Sequence, residues 1–164
     1  MKLPIILDVE ASGFGRGSYP IEIGIARADA STCAFLIQPC AEWTHWDPKA
    51  ELLHGISRER LMREGYPVRD VAQWLNDELG DCRLAYSDSW GFDNTWVSLL
   101  FDCASLLPRF RLESLRRLLN EQQLERWMST KEAMIDSASI RRHRAGEDAR
   151  LLQLTYERTL SGTD

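Results

Sequence analysis

The sequence has no pair of cysteines at CxxC spacing, and none of its three histidines stands at a zinc-finger distance from its four cysteines. That excludes a zinc ribbon and a dithiol redox motif. With 164 residues and 44% hydrophobic content, the chain can build a core that needs no covalent staples. Cys33, Cys40, Cys82 and Cys103 are therefore expected as reduced, buried thiols. No apolar run approaches the roughly 20 residues that span a bilayer, so no membrane segment is expected. The opening "MKLPIILDVE" reaches an acid after a handful of apolar residues and does not fit a secretory leader, which makes a cytoplasmic location the expectation. Gly13, Gly15 and Gly17 come without a following Gly-Lys-Ser/Thr and without full GxGxxG spacing, so they read as a turn rather than a phosphate loop. No repeat, low-complexity tract or linker breaks the chain, and a single domain over residues 1–164 is expected.

Positive charge is scarce overall, with a formal net charge of −5, but it is unevenly placed. Residues 109–150 hold ten of the 20 basic side chains against seven acids, while the remainder holds ten against 18. A basic segment on an acidic protein is compatible with phosphate binding and equally with arginines on solvated helix faces.

"LPIILDV" reads as a strand buried on both faces, "IEIGIARA" as a second strand after the turn closed by Pro20, and "TCAFLIQP" as a third ended by Pro39. Short turns between them predict an antiparallel meander. From Pro48 the pattern is helical, with a helix start at Ser57, a break at Gly65-Tyr66-Pro67, and a further helix carrying Val68, Val71, Trp74, Leu75 and Leu79 to a stop at Gly80. "CRLAYS" is a short strand and "DNTWVSLLFDCASLL" a helix ending before Pro108. Residues 111–128 read as one helix or two short ones, and 145–160 as the last helix.

The first strand carries Asp8 and Glu10 inside its apolar run. Residues two apart on a strand share a face, so the two carboxylates project side by side while Leu7 and Val9 face the other way. Such a pair suits a hard divalent cation such as Mg²⁺ or Mn²⁺, which takes oxygen ligands. Taken alone, it reads more readily as two acids solvated at a strand end. Two further segments shift that balance: "SDSWGFDNTW" puts Asp93 at a helix start after the short strand, and "RRHRAGEDARLL" puts His143 just ahead of the last helix with Asp148 in its first turns. A five-residue offset turns through about 140° on a helix, but with His143 on the preceding loop both groups can reach one cleft. Acids from separate elements with one imidazole form a metal-plus-base constellation.

In order and spacing these residues resemble the DEDDh (DnaQ-like) 3′–5′ exonucleases of the ribonuclease H-like superfamily, a group that includes oligoribonuclease, RNase T and the polymerase proofreading subunit. The family's DxE and Gly turn match Asp8, Glu10 and Gly13; its Asp after Phe at a helix start matches Phe92-Asp93; its H-x4-D matches His143 and Asp148 in "HRAGEDA". "IEIG" at 21–24 and "HGIS" at 54–57 also look like family features. The resemblance implies an α/β, ribonuclease H-like fold with a central mixed five-stranded sheet, its first three strands antiparallel, flanked by helices. It implies two Mg²⁺ (or Mn²⁺) ions on Asp8, Glu10, Asp93 and Asp148, with His143 as general base; an imidazole of ordinary pKa near ~6.5 suits that task. Single-stranded RNA or DNA 3′ ends would be the partners, and a homodimer is a further possibility carried by the small members of the family.

Substrate contacts are expected at Ala11, Ser12 and Gly13, at Trp90 as a base contact, and at His54, although a His in "HGI" is more often a turn residue. The chain departs from the family in having Ala11-Ser12 where Thr-Thr or Thr-Ser is usual, and Asp88 and Ser89 where His-Asn commonly precedes the second motif. The competing expectation is a catalytically silent ribonuclease H-like module that binds nucleic acid or serves as a scaffold.

Overall fold

A computed structural model describes residues 2–137 and 142–160. Eleven named elements follow one another in the chain. They are β1 (Ile6–Ala11), β2 (Pro20–Ala26), β3 (Thr32–Leu36), α1 (Pro48–His54), α2 (Arg58–Glu64), α3 (Val68–Leu79), β4 (Leu84–Ser87), α4 (Trp90–Ala104), β5 (Arg111–Ser114), α5 (Glu121–Ser137) and α6 (Ala145–Leu160). The strands form one mixed sheet in the order β3-β2-β1-β4-β5, with β1, β2 and β3 antiparallel and β1, β4 and β5 parallel. This is the expected α/β, ribonuclease H-like five-stranded sheet.

Alternation along β1 divides the two faces of the sheet. Leu7, Val9 and Ala11 enter the larger core with Val71, Leu75 and Leu79 of α3 and Trp96, Leu100 and Phe101 of α4. Ile6 enters a smaller core with Ala26, Leu115, Leu119, Trp127, Ala149 and Leu152, beneath α5 and α6. Burying a leucine or isoleucine contributes about 1.5–3 kcal/mol, so the α3 stripe clamps this helix by its Leu75 and Leu79 edge. Asp8 and Glu10 share the phase of Ile6 and therefore face α6.

Local chemistry explains most boundaries. Asp47 caps α1, accepting from the Lys49 N–H at 2.9 Å, and Ser57 caps α2, accepting from the Arg60 N–H at 3.1 Å. Gly55 ends α1 in the left-handed region at φ +67°.

Three expectations need correction. Residues 111–114 are the edge strand β5, and the helix expected there begins only at Glu121, after a 3₁₀ turn at Leu115–Leu118. Parallel pairing with β4 imposes that strand on a polar four-residue stretch whose own pattern does not announce it. The helix α4 starts at Trp90, three residues before Asp93, so Asp93 lies within its first turn. The four cysteines are unpaired as expected, but none is buried, and Cys82 is exposed. No helix among the described residues is long and apolar enough to cross a membrane.

Candidate active site

The carboxylates gather at the carboxyl ends of the parallel strands β1 and β4, where ligands bind in open α/β sheets. β1 contributes Asp8 and Glu10. The turn after β4 leads into α4, whose first turn contributes Asp93; its carboxylate accepts a short hydrogen bond from the Ser87 hydroxyl at the end of β4. Packing of α6 across β1 and β2 brings Asp148 and the preceding His143 to the same place. One ligating atom from each of Glu10, His143 and Asp148 lies within 4.8 Å of the others. His143 and Asp148 therefore do meet across their five-residue offset, because His143 stands outside the helix.

The electrostatics of the cluster are those of charge without enough counter-charge. Burial, followed by repulsion from Asp93, Glu10, Asp148 and Asp88, holds the Asp8 carboxyl well above its ordinary range. Glu10 is pushed up to about 8, by burial and then by Asp148, Glu22 and Asp93, with Arg144 opposing. Asp93 is raised as well, chiefly by burial. Three interacting carboxylates that all resist ionisation are suited to a cation with oxygen preference, which would replace their protons on binding. The donor set of hard oxygens with one imidazole fits Mg²⁺ or Mn²⁺.

The basic segment folds back onto these acids. Lys131 Nζ on α5 meets Asp88 Oδ2 at 2.7 Å, Arg142 Nε meets Asp148 Oδ1 at 3.2 Å, and Arg144 Nε meets Glu22 Oε2 at 3.0 Å. Glu22, Asp88, Lys131, Arg142 and Arg144 were not legible as site residues, because the Glu22–Arg144 and Asp88–Lys131 pairs join segments remote in sequence and nothing in the motif marks Arg142 as the partner of Asp148. The excess of arginine and lysine between 109 and 150 was the available signal.

Beside the acids lies a cavity of about 200 Å³ lined by Asp8, Glu10, Asp93 and His143 together with Phe14, Leu53, Phe92 and Trp96. Phe14 is 67% exposed and Phe92 55% exposed. Their ring centroids are 5.3 Å apart edge to face, and Phe92 stacks on Trp96 at 5.8 Å. Ala11, Gly13 and His54 also line this cavity. His54 is buried, and its Nδ1 accepts from the Ile56 N–H at 3.1 Å, which leaves Nε2 as the protonated nitrogen. That Nε2 has no hydrogen-bond partner among the described residues.

Two expected contact residues are placed elsewhere. Ser12 is fully buried, its hydroxyl accepting from the Tyr19 N–H at 3.1 Å and bonded to His45 Nδ1 at 2.9 Å, so that it braces the Gly13 turn. Trp90 does not line the cavity and donates its indole N–H to the Leu112 carbonyl at 2.7 Å. The aromatic wall consists instead of Phe14, Phe92 and Trp96.

No family model and no curated protein matches the sequence. Solved structures do match its fold. Exonuclease I from Methylocaldum szegediense superposes with a TM-score of 0.73 at 12% identity, over 98% of this chain and 40% of that one. E. coli exonuclease I in complex with a dA16 oligonucleotide gives 0.68 at 14% identity, over 98% of this chain and 42% of that one. S. pombe Pop2p in its Mg²⁺- and Mn²⁺-bound form gives 0.65 at 16% identity, over 98% and 84%. The chain thus spans about two fifths of the length of the exonuclease I structures.

Proposed function

We propose that this protein is a DEDDh-type 3′–5′ exonuclease that hydrolyses the terminal phosphodiester of single-stranded RNA or DNA and releases 5′-mononucleotides. The observation that carries the reading is the convergence of Asp8, Glu10, Asp93 and Asp148 with His143 at the carboxyl ends of β1 and β4, with the carboxyl groups of Asp8, Glu10 and Asp93 raised by burial and neighbouring acids. The fold shared with E. coli exonuclease I bound to an oligonucleotide and with S. pombe Pop2p bound to Mg²⁺ and Mn²⁺ supports it.

Asp8, Glu10, Asp93 and Asp148 would hold two Mg²⁺ or Mn²⁺ ions, which when bound supply water activation and charge neutralisation at the phosphate. His143 takes the proton of the attacking water at the mouth of the cluster, beside Glu10 and Asp148. Phe14 and Phe92, backed by Trp96, offer exposed rings to the terminal bases, a contact tolerant of sequence. His54, whose Nε2–H lacks a partner among the described residues, lines the cavity with Ala11 and Gly13 and is the donor that would turn to the nucleotide there.

The ion pairs of Lys131 with Asp88 and Arg142 with Asp148 favour a second reading, a silent binding module whose acids are neutralised from within. Against it, these cations leave Asp8 and Glu10 with raised carboxyl groups. The deciding experiment digests 5′-labelled single-stranded RNA and DNA with wild type and Asp148→Ala in Mg²⁺, Mn²⁺ or EDTA. Shortening from the 3′ end, lost with chelator and with the substitution, is expected. Intact substrate under every metal, with the oligonucleotide still bound, overturns the enzyme reading in favour of the binding module.

A further inference from the structure

We propose that Glu22, acting through Arg144, is the positioning residue that aims the His143 imidazole at the carboxylate cluster. Its predicted effect on rate rests on the exonuclease reading; its effect on the imidazole does not.

Glu22 lies on β2, directly opposite Glu10, and is 1% exposed. Both of its oxygens are taken: Arg144 Nε approaches Oε1 and Oε2 at 3.1 and 3.0 Å, and the Ala145 N–H donates to Oε2 at 2.9 Å. A buried ion pair is a poor source of stability, because desolvation of both partners offsets their attraction, and apolar packing would serve a fold as well or better. What the pair supplies is direction. It ties the first residue of α6 and the one before it to a single point on the sheet.

Two residues along the same face of β2, Gly24 carries the next contact. A Cβ there would stand 2.2 Å from Ala145 C and from Gly146 N, so the backbone of α6 rests directly on the strand. Residues 144, 145 and 146 are thus all held by β2. Further along, the Asp148 carboxylate accepts from the His143 N–H at 2.9 Å. Between these fixed points His143 adopts φ +62°, a left-handed conformation unfavourable for a side chain with a Cβ. Such a conformation persists where the surroundings over-determine it. Release of Arg144 from Glu22 lets residue 143 relax to the right-handed region and carries the imidazole away from Glu10.

The test reads the imidazole itself. Long-range ¹H–¹⁵N spectra of the three histidines are recorded on wild type, Glu22→Gln, Arg144→Gln and the double variant, with His143 assigned by its loss in His143→Gln. The His143 resonances are expected to move in both single variants while those of His45 stay in place. Turnover on a single-stranded oligonucleotide is expected to fall by roughly 10- to 100-fold, the usual effect of removing a group that orients a site residue. KM stays close to wild type, and the double variant is no worse than either single one. Arg144→Lys keeps the charge but loses the two-pronged contact, and is expected to fall between wild type and Arg144→Gln. Unmoved His143 resonances in both single variants, with only a lowered melting temperature, overturn the proposal. If wild type binds the oligonucleotide without cutting it, the exonuclease reading fails, and the imidazole spectra still decide whether Glu22 aims His143.

Discussion

Glu10 and Glu22 stand directly opposite one another across the β1–β2 pair, and only Glu22 has an arginine locked onto it. Glu10 is left to absorb the repulsion. A carboxylate whose folded pKa lies above its unfolded value contributes stability that is full below the unfolded pKa and is lost as pH rises through the folded one. For Glu10 that window runs from 4.5 to about 8, and Asp8 and Asp93 are shifted the same way. In EDTA the melting temperature is therefore expected to fall steadily between pH 5 and pH 8. Millimolar Mg²⁺ should raise it more at pH 8 than at pH 6, because protons no longer compete. A melting temperature flat across this range in EDTA would show that the cluster is already compensated.

Asp8→Asn removes the ionisable group from a carboxyl that burial and four acidic neighbours hold above its ordinary range. The metal-free variant is expected to melt higher than wild type at pH 8 while losing at least about a hundredfold in nuclease rate, on the scale of other single transition-state contacts. Differential scanning calorimetry beside a gel assay checks both halves. A variant that is destabilised would mean that Asp8 makes a structural contribution its surroundings do not suggest.

Phe14→Ala and Phe92→Ala address the aromatic wall. Both rings are largely exposed, so neither substitution should shift the melting temperature by more than a degree or two. Stacking on a base contributes about 1–3 kcal/mol, and KM for single-stranded substrate is expected to rise accordingly, with kcat changing less. Equal KM for wild type and both variants would remove these rings from the binding surface.

Gly24→Ala would drive a methyl group into the backbone of Ala145 and Gly146. Overpacking of this kind costs about 1–3 kcal/mol, and for a chain of this size each kcal/mol lowers the melting temperature by about 2–4 °C. Thermal unfolding of the variant, compared with Gly15→Ala, where nothing lies within 4 Å of the added carbon, gives the contrast. The positive φ of Gly15 makes that comparison strict, since it carries backbone strain of its own.

Much of this molecule was legible in the chain because its signals are local. The Ser57 cap, the Gly65-Tyr66-Pro67 break and the Gly80 stop bound α2 and α3 where the pattern placed them, and α6 runs over the expected residues 145–160. Asp8 and Glu10 declare themselves by strand alternation, and His143 and Asp148 by their spacing. β5 was hidden because Arg111–Ser114 becomes a strand only through β4 beside it. Ser12 has the right chemistry for a substrate contact, but Tyr19 and His45 had already claimed its hydroxyl. Glu22 was visible only as a letter of "IEIG", since its partner lies 122 residues away.

That distance has a consequence for how the protein comes into being. Asp8, Glu10 and Glu22 leave the ribosome before Asp93, and Asp93 before His143, Arg144 and Asp148 of the α6 region. A chain made only as far as β5 lacks the His143 imidazole that stands beside Glu10 and the arginine that pairs with Glu22. Asp8, Glu10 and Asp93 are therefore made before the imidazole of the site, and the packing of α6 onto β2 brings His143 and Asp148 to them together.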